Sequence, residues 1–276
     1  MEEFSRVAVA PVGDARRPVV HIVNGAAALA GAAPGQPPNQ TIIADFEVEG
    51  KEGPEAGCPQ NLLQTLELER VAESRIVALG ARAAFKGYHG YPCSLCVSVN
   101  EEIVHGIPSE RKLERGDIVS LDVGVELDGY FSDLATTIGL EPIAPELEKL
   151  LNVTREALYR GIEQTRLGNY LGDISAAVQE QVERHGFSVV REFAGHGIGT
   201  RLHEEPQVPN YATPTRGPKL KTGMVLAIEP MVTTGSPGVK IRPDRWTAVT
   251  TDGGYAAHFE HCVAVTKNGP WILTTP

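Results

Sequence analysis

From Leu62 onward apolar side chains recur at helical spacing, with Leu68, Ala72, Ile76, Leu79 and Ala83 falling at i, i+4, i+8, i+11 and i+15. That is the one-face pattern of an amphipathic helix. Two more helices are predicted. One carries Leu147, Leu150, Leu151, Thr154, Leu158 and Ile162. The other takes Asp173 as its N-cap, presents Ile174, Val178 and Val182, and stops at Gly186. Around these helices lie strand-like runs bounded by Gly, Pro or Asp: "CVSV", "DIVSLDVGVEL", "YFSDLATTI", "MVLAIEPMV" and "HFEHCVAVT". Strands clustered before and after a helical stretch predict an α+β fold, an antiparallel-rich sheet covered by helices on one face.

The first sixty residues break this pattern. Between Asn24 and Pro38, in "NGAAALAGAAPGQPP", nearly every residue is Ala, Gly or Pro. Few large apolar side chains are there to offset ordering entropy, so the stretch reads as loop or disorder. Residues 1–60 are therefore set apart as an atypical segment, and 61–276 as the folded domain.

Composition narrows the function class. A net charge of -10 argues against nucleic acid or an anionic membrane surface as the main partner. No apolar run reaches the length of a membrane span or builds a signal peptide, so the expected compartment is cytoplasmic. Cys58, Cys93, Cys96 and Cys262 are too few for a disulfide framework in 276 residues. The lone Cys93–Cys96 pair lacks the second pair of a structural zinc site.

The acids carry the chemistry. In "DIVSLDVGVELDGYFSDLATT", Val119, Leu121, Val123, Val125 and Leu127 alternate onto one face and leave Asp122 and Gly124 on the other. Asp128-Gly129 is a two-residue hairpin signal. With that turn, Leu127 faces Tyr130, Gly124 faces Asp133 and Asp122 faces Ala135, making the two aspartates diagonal neighbours on one face. Taken alone, the pair could equally be two exposed acids on a wet face. Glu229 in "VLAIEPMV" and Glu260 in "HFEHCVAV" shift that balance, since lone acids in apolar strands need a cation. With one histidine, four carboxylates make a ligand set for two divalent ions.

The histidine comes from "FAGHGIGTRLHEEPQVPNY", where His196 and His203 stand seven residues apart in a run broken by glycines that oppose a helix. In order, Asp122, Asp133, His196, Glu229 and Glu260 resemble the ligands of the dinuclear-metal pita-bread (creatinase/aminopeptidase) peptidases. The flanking words "GYHGYPCSLCVSVNEEIVHGIP", "GDIVSLDVGVELDGYFSDLATT", "AGHGIGTRLHEEPQVPNY" and "LAIEPMV" resemble type I methionine aminopeptidases within that superfamily. The resemblance implies a sheet in pseudo-twofold halves and an enzyme removing N-terminal methionine from nascent proteins and peptides, preferring a small second residue. It implies two divalent ions (Co, Mn, Fe or Zn), with Asp122 on one, His196 and Glu229 on the other, and Asp133 and Glu260 bridging. On that resemblance the ions would activate a water for attack on the scissile carbonyl. The resemblance also implies that Glu229 doubles as a proton shuttle, that His105 contacts the scissile amide and that His203 stabilises the developing oxyanion. Tyr88, Tyr91, Cys96 and Trp246, with His105 and His203, match the substrate pocket. His21, His89, His185, His258 and His261 read as structural or surface residues. Nascent polypeptide N-termini are the expected partners of a monomer, with ribosome association left open.

Two departures stand out. Leu202 occupies a position where an aromatic commonly precedes the second catalytic histidine, which is expected to weaken the methionine pocket without loss of chemistry. The resemblance also starts only near Glu67, and residues 1–66 do not supply the strand and long helix with which family members open. A lineage-specific replacement and a mistranslated frame both account for that. The rival activities are a pita-bread peptidase cleaving before proline or acting on dipeptides, and a catalytically silent binding module. The first usually carries an extra N-terminal domain, and the second loses metal ligands.

Overall fold

The computed structural model describes residues 63–275, together with the backbone of two earlier strands, β1 (Val19–Ala27) and β2 (Asn39–Glu47). These two pair antiparallel, Val19 opposite Glu47 and Ala27 opposite Asn39. Asn24–Ala27 are thus extended strand backbone rather than loop, because ladder hydrogen bonds need no large side chains. The rest of the Ala/Gly/Pro-rich stretch, and the assignment of 1–60 as a separate segment, lie outside the described residues.

The first helix, α1 (Thr65–Ala78), buries Leu68, Ala72 and Ile76 as its spacing predicts. It ends before Ala83, because Gly80 turns into left-handed backbone and the chain enters the short strand β3 (Arg82–Ala83). Buried Glu69 fastens α1 to the start of β4 (Leu95–Val99), its two oxygens each accepting a backbone N–H, from Ser94 and Leu95, at 2.8 Å. Replacing Glu69 with alanine leaves both N–H groups unpaired, so the unfolding free energy is expected to fall by about 2–4 kcal/mol. Denaturant unfolding checks this, and an unchanged midpoint would mean water replaces the carboxylate.

After β5 (Glu102–Val104) comes the hairpin of β6 (Ile118–Leu127) and β7 (Tyr130–Gly139). Its register has Leu127 opposite Tyr130, Gly124 opposite Asp133 and Asp122 opposite Ala135, as the turn residues predict. Val119, Leu121, Val123 and Val125 pack against Leu68, Ala72 and Ile76 of α1. The opposite face of β6 is buried as well, so Asp122 is covered rather than wet.

The long helix α2 (Pro145–Gln164) and α3 (Leu171–Glu183) follow. The residue capping α3 is Tyr170, not Asp173: the aspartate sits third in the helix and accepts the Tyr170 N–H at 2.8 Å, reaching back to the cap. The remaining strands are β8 (Ser188–Val189), β9 (Ala194–Gly197), β10 (Glu204–Pro209), β11 (Val225–Ile228), β12 (Met231–Thr233), β13 (Val239–Ile241), β14 (Ala248–Thr250), β15 (Ala256–His258), β16 (Glu260–Thr266) and β17 (Gly269–Ile272).

One antiparallel sheet organises the molecule, in the order β10-β9-β11-β16-β7-β6-β3, with β17 on β16 and β4 on β6. Two apolar cores lie against it. One joins α1 to β4 and β6, and the other joins α2 and α3 to Leu226, Ile228, Val263 and Val265 of β11 and β16. This is the helix-covered, two-halved α+β arrangement expected.

Two runs expected as single strands are each broken. "MVLAIEPMV" splits at Glu229-Pro230 into β11 and β12, and "HFEHCVAVT" splits at Phe259 into β15 and β16. The breaks lie side by side. β11 pairs with β16, while β12 pairs with β15, Met231 opposite His258. The two strands therefore leave one sheet for another together, and Pro230, which has no N–H to give a ladder, sits at the corner.

Candidate metal centre

The sheet order explains how residues far apart in the chain meet. His196 lies on β9, Glu229 directly follows β11, Glu260 opens β16, Asp133 lies on β7 and Asp122 on β6. Those five strands are consecutive neighbours. Register completes the alignment: Ala227 faces His196, Glu260 faces Ala135, and Ala135 faces Asp122. In sequence the five residues run from the hairpin to β16; in space they form one row across the sheet.

His196 Nε2 lies 3.6 Å from Glu229 Oε1 and 3.9 Å from Asp133 Oδ2. Its Nδ1 is 2.9 Å from the Gly197 carbonyl, which can only accept, so this contact calls for an Nδ1–H and leaves the Nε2 lone pair turned to the acids. Asp133, His196 and Glu260 each offer an atom within 4.8 Å of the others, a spacing that suits shared ligation of a metal ion. The glycines on either side of His196 make the approach possible. A Cβ on Gly195 would stand 2.3 Å from the Ala227 carbonyl oxygen, and one on Gly197 would stand 2.4 Å from that of Glu205. The run that puts two histidines close is a pair of tightly packed strands, not a helix: β9 and β10 fold back so that the His196 and His203 rings have centroids 4.2 Å apart.

The electrostatics favour a cation among these acids. Burial raises the carboxyl pKa of Asp122, Glu229 and Glu260 well above the usual range, and the neighbouring acids push them further. Asp133 is raised as well, chiefly by burial. Asp122 Oδ1 and Glu260 Oε1 are buried without a hydrogen-bond partner. Burial lowers the pKa of His105 and His196, favouring neutral imidazoles. Unpaired buried carboxylate oxygens beside a neutral imidazole are the donor set of hard or borderline divalent ions. The residues fit the group.

Beyond the row lies an aromatic wall. His105, held at a positive φ of 60°, sets its ring edge-on to Phe193 and Trp246 with centroids 5.3 and 6.4 Å away. Tyr91 packs edge-on against Trp246 at 5.2 Å and donates its hydroxyl to the Gly106 carbonyl at 2.9 Å. Cys96 is buried beside Asp122 on the paired strand, and Cys93 and Cys96 are both free thiols. Tyr88 differs from a plain pocket wall: its hydroxyl lies 2.8 Å from His203 Nδ1. Leu202 turns into a small apolar cluster with Ala84, Ile198 and Cys262, Tyr88 packing at its edge.

Comparison with known proteins supplies the family. The model of metallopeptidase family M24 matches residues 55–267. The methionine aminopeptidase of Clostridium perfringens is 53% identical over 212 residues, covering 77% of this chain and 85% of that one. Methionine aminopeptidase 1 of Bacillus subtilis is likewise 53% identical over 212 residues, covering 77% and 86%. The chain belongs to the methionine aminopeptidases of metallopeptidase family M24. Its fold follows the crystal structure of the Thermotoga maritima methionine aminopeptidase with a TM-score of 0.76 at 46% identity, covering 78% of this chain and 87% of that one. The Pyrococcus furiosus prolidase shares the fold at a TM-score of 0.63 and 23% identity, with only 56% of its length covered. This methionine aminopeptidase is thus a metallo-exopeptidase, a hydrolase that binds divalent metal. Its family match opens at residue 55, earlier than the motif words near Glu67 indicate.

Three residues of the site were given no role by the sequence. Phe193 packs edge-on against the His105 ring, and Asn210, inside a motif word, donates to the Glu229 carbonyl at 3.0 Å. The third is His258, buried with Nε2 3.8 Å from Glu229 Oε2. Its spacing held a signal, since i and i+2 on an extended run put His258 and Glu260 on one face.

Proposed function

We propose that this M24 methionine aminopeptidase removes methionine from nascent proteins and peptides with a small second residue, using two divalent ions of Mn, Fe, Co or Zn type. The row of Asp122, Asp133, His196, Glu229 and Glu260 across five adjacent strands carries this reading. Asp122 would serve one ion, His196 and Glu229 the other, and Asp133 and Glu260 both. Bound there, the ions supply the positive charge that activates water and polarises the scissile carbonyl at neutral pH.

The rest falls to the protein. His203 donates to the carbonyl oxygen as negative charge builds on it, and His105 contacts the scissile amide. Glu229 takes the proton from the attacking water and delivers it to the leaving amine. The methionine side chain lies among Tyr88, Tyr91, Cys96 and Trp246, where a thioether gains about 0.3–1.5 kcal/mol from an aromatic edge. Leu202 points into its own cluster, so its cost is expected to reach the substrate only through Tyr88. Among the described residues no helix is long and apolar enough to cross a membrane.

A competition assay tests this. Mn- or Co-loaded protein is given Met-Ala-Ser, Met-Lys-Ser, Ala-Pro-Ser and Met-Pro together, and the products are followed by mass spectrometry. Methionine is expected from Met-Ala-Ser, with little from Met-Lys-Ser and none under chelation. Cleavage of Ala-Pro-Ser in its place would favour a proline-directed peptidase, and failure to take up a pair of ions would favour a binding module.

A further inference from the structure

His258 closes β15 two residues before Glu260 and is only 2% exposed. Its main chain is clamped on both sides by one hydroxyl. Thr137 Oγ1 accepts the His258 N–H at 2.8 Å and donates to the His258 carbonyl at 2.7 Å. Ser120 Oγ, 2.8 Å from Thr137 Oγ1, then donates to it, which fixes that hydroxyl in turn. A backbone held this firmly aims its side chain, and the ring points at the acids. Nε2 is buried with no hydrogen-bond partner, 3.8 Å from Glu229 Oε2 and 4.0 Å from Glu260 Oε2. Glu229 is divided between two imidazoles, since its other oxygen, Oε1, faces His196 at 3.6 Å.

Both atoms that Nε2 faces are carboxylate oxygens, which only accept, so the tautomer that satisfies them carries its proton on Nε2. A shortening of under about 1 Å brings either contact to hydrogen-bond length. We propose that His258 is a positioning residue of the metal centre, its Nε2–H holding Oε2 of Glu229 and Glu260 so that their Oε1 atoms are presented to the ions. The proposal rests on Glu229 and Glu260 being ligands. Hydrogen bonds of this kind orient ligating carboxylates, and losing one commonly weakens metal binding by about 10–100-fold.

The test uses the full chain and the metals alone, with Mn(II) affinity measured by calorimetry and the visible absorption of the Co(II) form. His258→Leu removes the N–H, whereas His258→Gln keeps an N–H donor on a side chain of similar reach. His258→Leu is expected to weaken Mn(II) binding by about 10–100-fold. His258→Gln is expected to recover most of that loss and to leave the Co(II) bands where the parent has them. If leucine unsettles the fold, His258→Asn, whose amide is too short to reach, takes its place in the comparison. Parent affinity in His258→Leu would overturn the proposal by making the ring a spectator. Equal weakening in both variants, with matching losses of thermal stability, would make its role packing alone. Co(II) bands displaced in His258→Gln would make it a direct ligand instead. A parent that takes up no Mn(II) would instead remove the ligand assignment beneath the proposal.

Discussion

Asp133→Asn is expected to abolish uptake of the ion pair and to lower kcat/KM by more than about 10³-fold, beyond the 10–100-fold typical of a residue that only supports a ligand. The reason is position. Asp133 faces His196 at 3.9 Å, and its charge also raises Asp122, Glu229 and Glu260. In chelator the same variant is expected to melt above the chelated parent, because one of four crowded charges is gone. Relief of crowding among buried carboxyls is on the order of 1–3 kcal/mol, or several degrees in a domain this size.

The pH dependence gives the sign a second check. Acids whose folded pKa is raised contribute stability that is full below their unfolded value and is lost as pH rises through the folded one. His105, His196 and His258 are lowered, so their contribution is complete above about pH 6.5 and fails only below it. Between pH 7 and 8 the acids therefore dominate. The chelated parent should lose melting temperature over that interval, and both the Mn-loaded parent and chelated Asp133→Asn should lose less. Scanning calorimetry with metal analysis decides it, and two ions retained by Asp133→Asn would refute the bridging assignment.

What could be read from the chain follows from how local the signal is. The β6–β7 register was legible because Asp128-Gly129 dictates the turn, and strict alternation then fixes which face each aspartate takes. The helix spacing of α2 was legible for the same reason. Its partners were not: nothing near Leu226 or Val263 says that they pack under α2 and α3. At Glu229-Pro230 the proline was a local signal for the break, whereas at Phe259 no turn residue marks it and only pairing with different neighbours bends the chain. The bend matters to the site, since it is where two acids and His258 converge. The five candidate ligands were picked out by order and motif, but their row across adjacent strands is a property of the sheet alone.

His203→Ala is expected to lower kcat about 10²–10³-fold, as loss of a single oxyanion donor does elsewhere, with metal content unchanged. Its geometry says why one ring can matter so much. The Tyr88 hydroxyl lies 2.8 Å from His203 Nδ1, and burial, reinforced by His196, His105 and His89, lowers the imidazole's pKa. A neutral ring whose Nδ1 accepts the tyrosine O–H must carry its proton on Nε2, the nitrogen left for the substrate oxygen. On the role proposed for His203, a Tyr88 O–H donated to Nδ1 would set the tautomer that leaves Nε2–H for the substrate. Tyr88→Phe should then cost about 10-fold in kcat, more than its effect on KM, because the pocket keeps its ring but the imidazole loses its fixed proton. Steady-state kinetics on a Met-Ala peptide separate the two readings: a rise in KM with kcat intact would make Tyr88 a wall of the methionine pocket and nothing more.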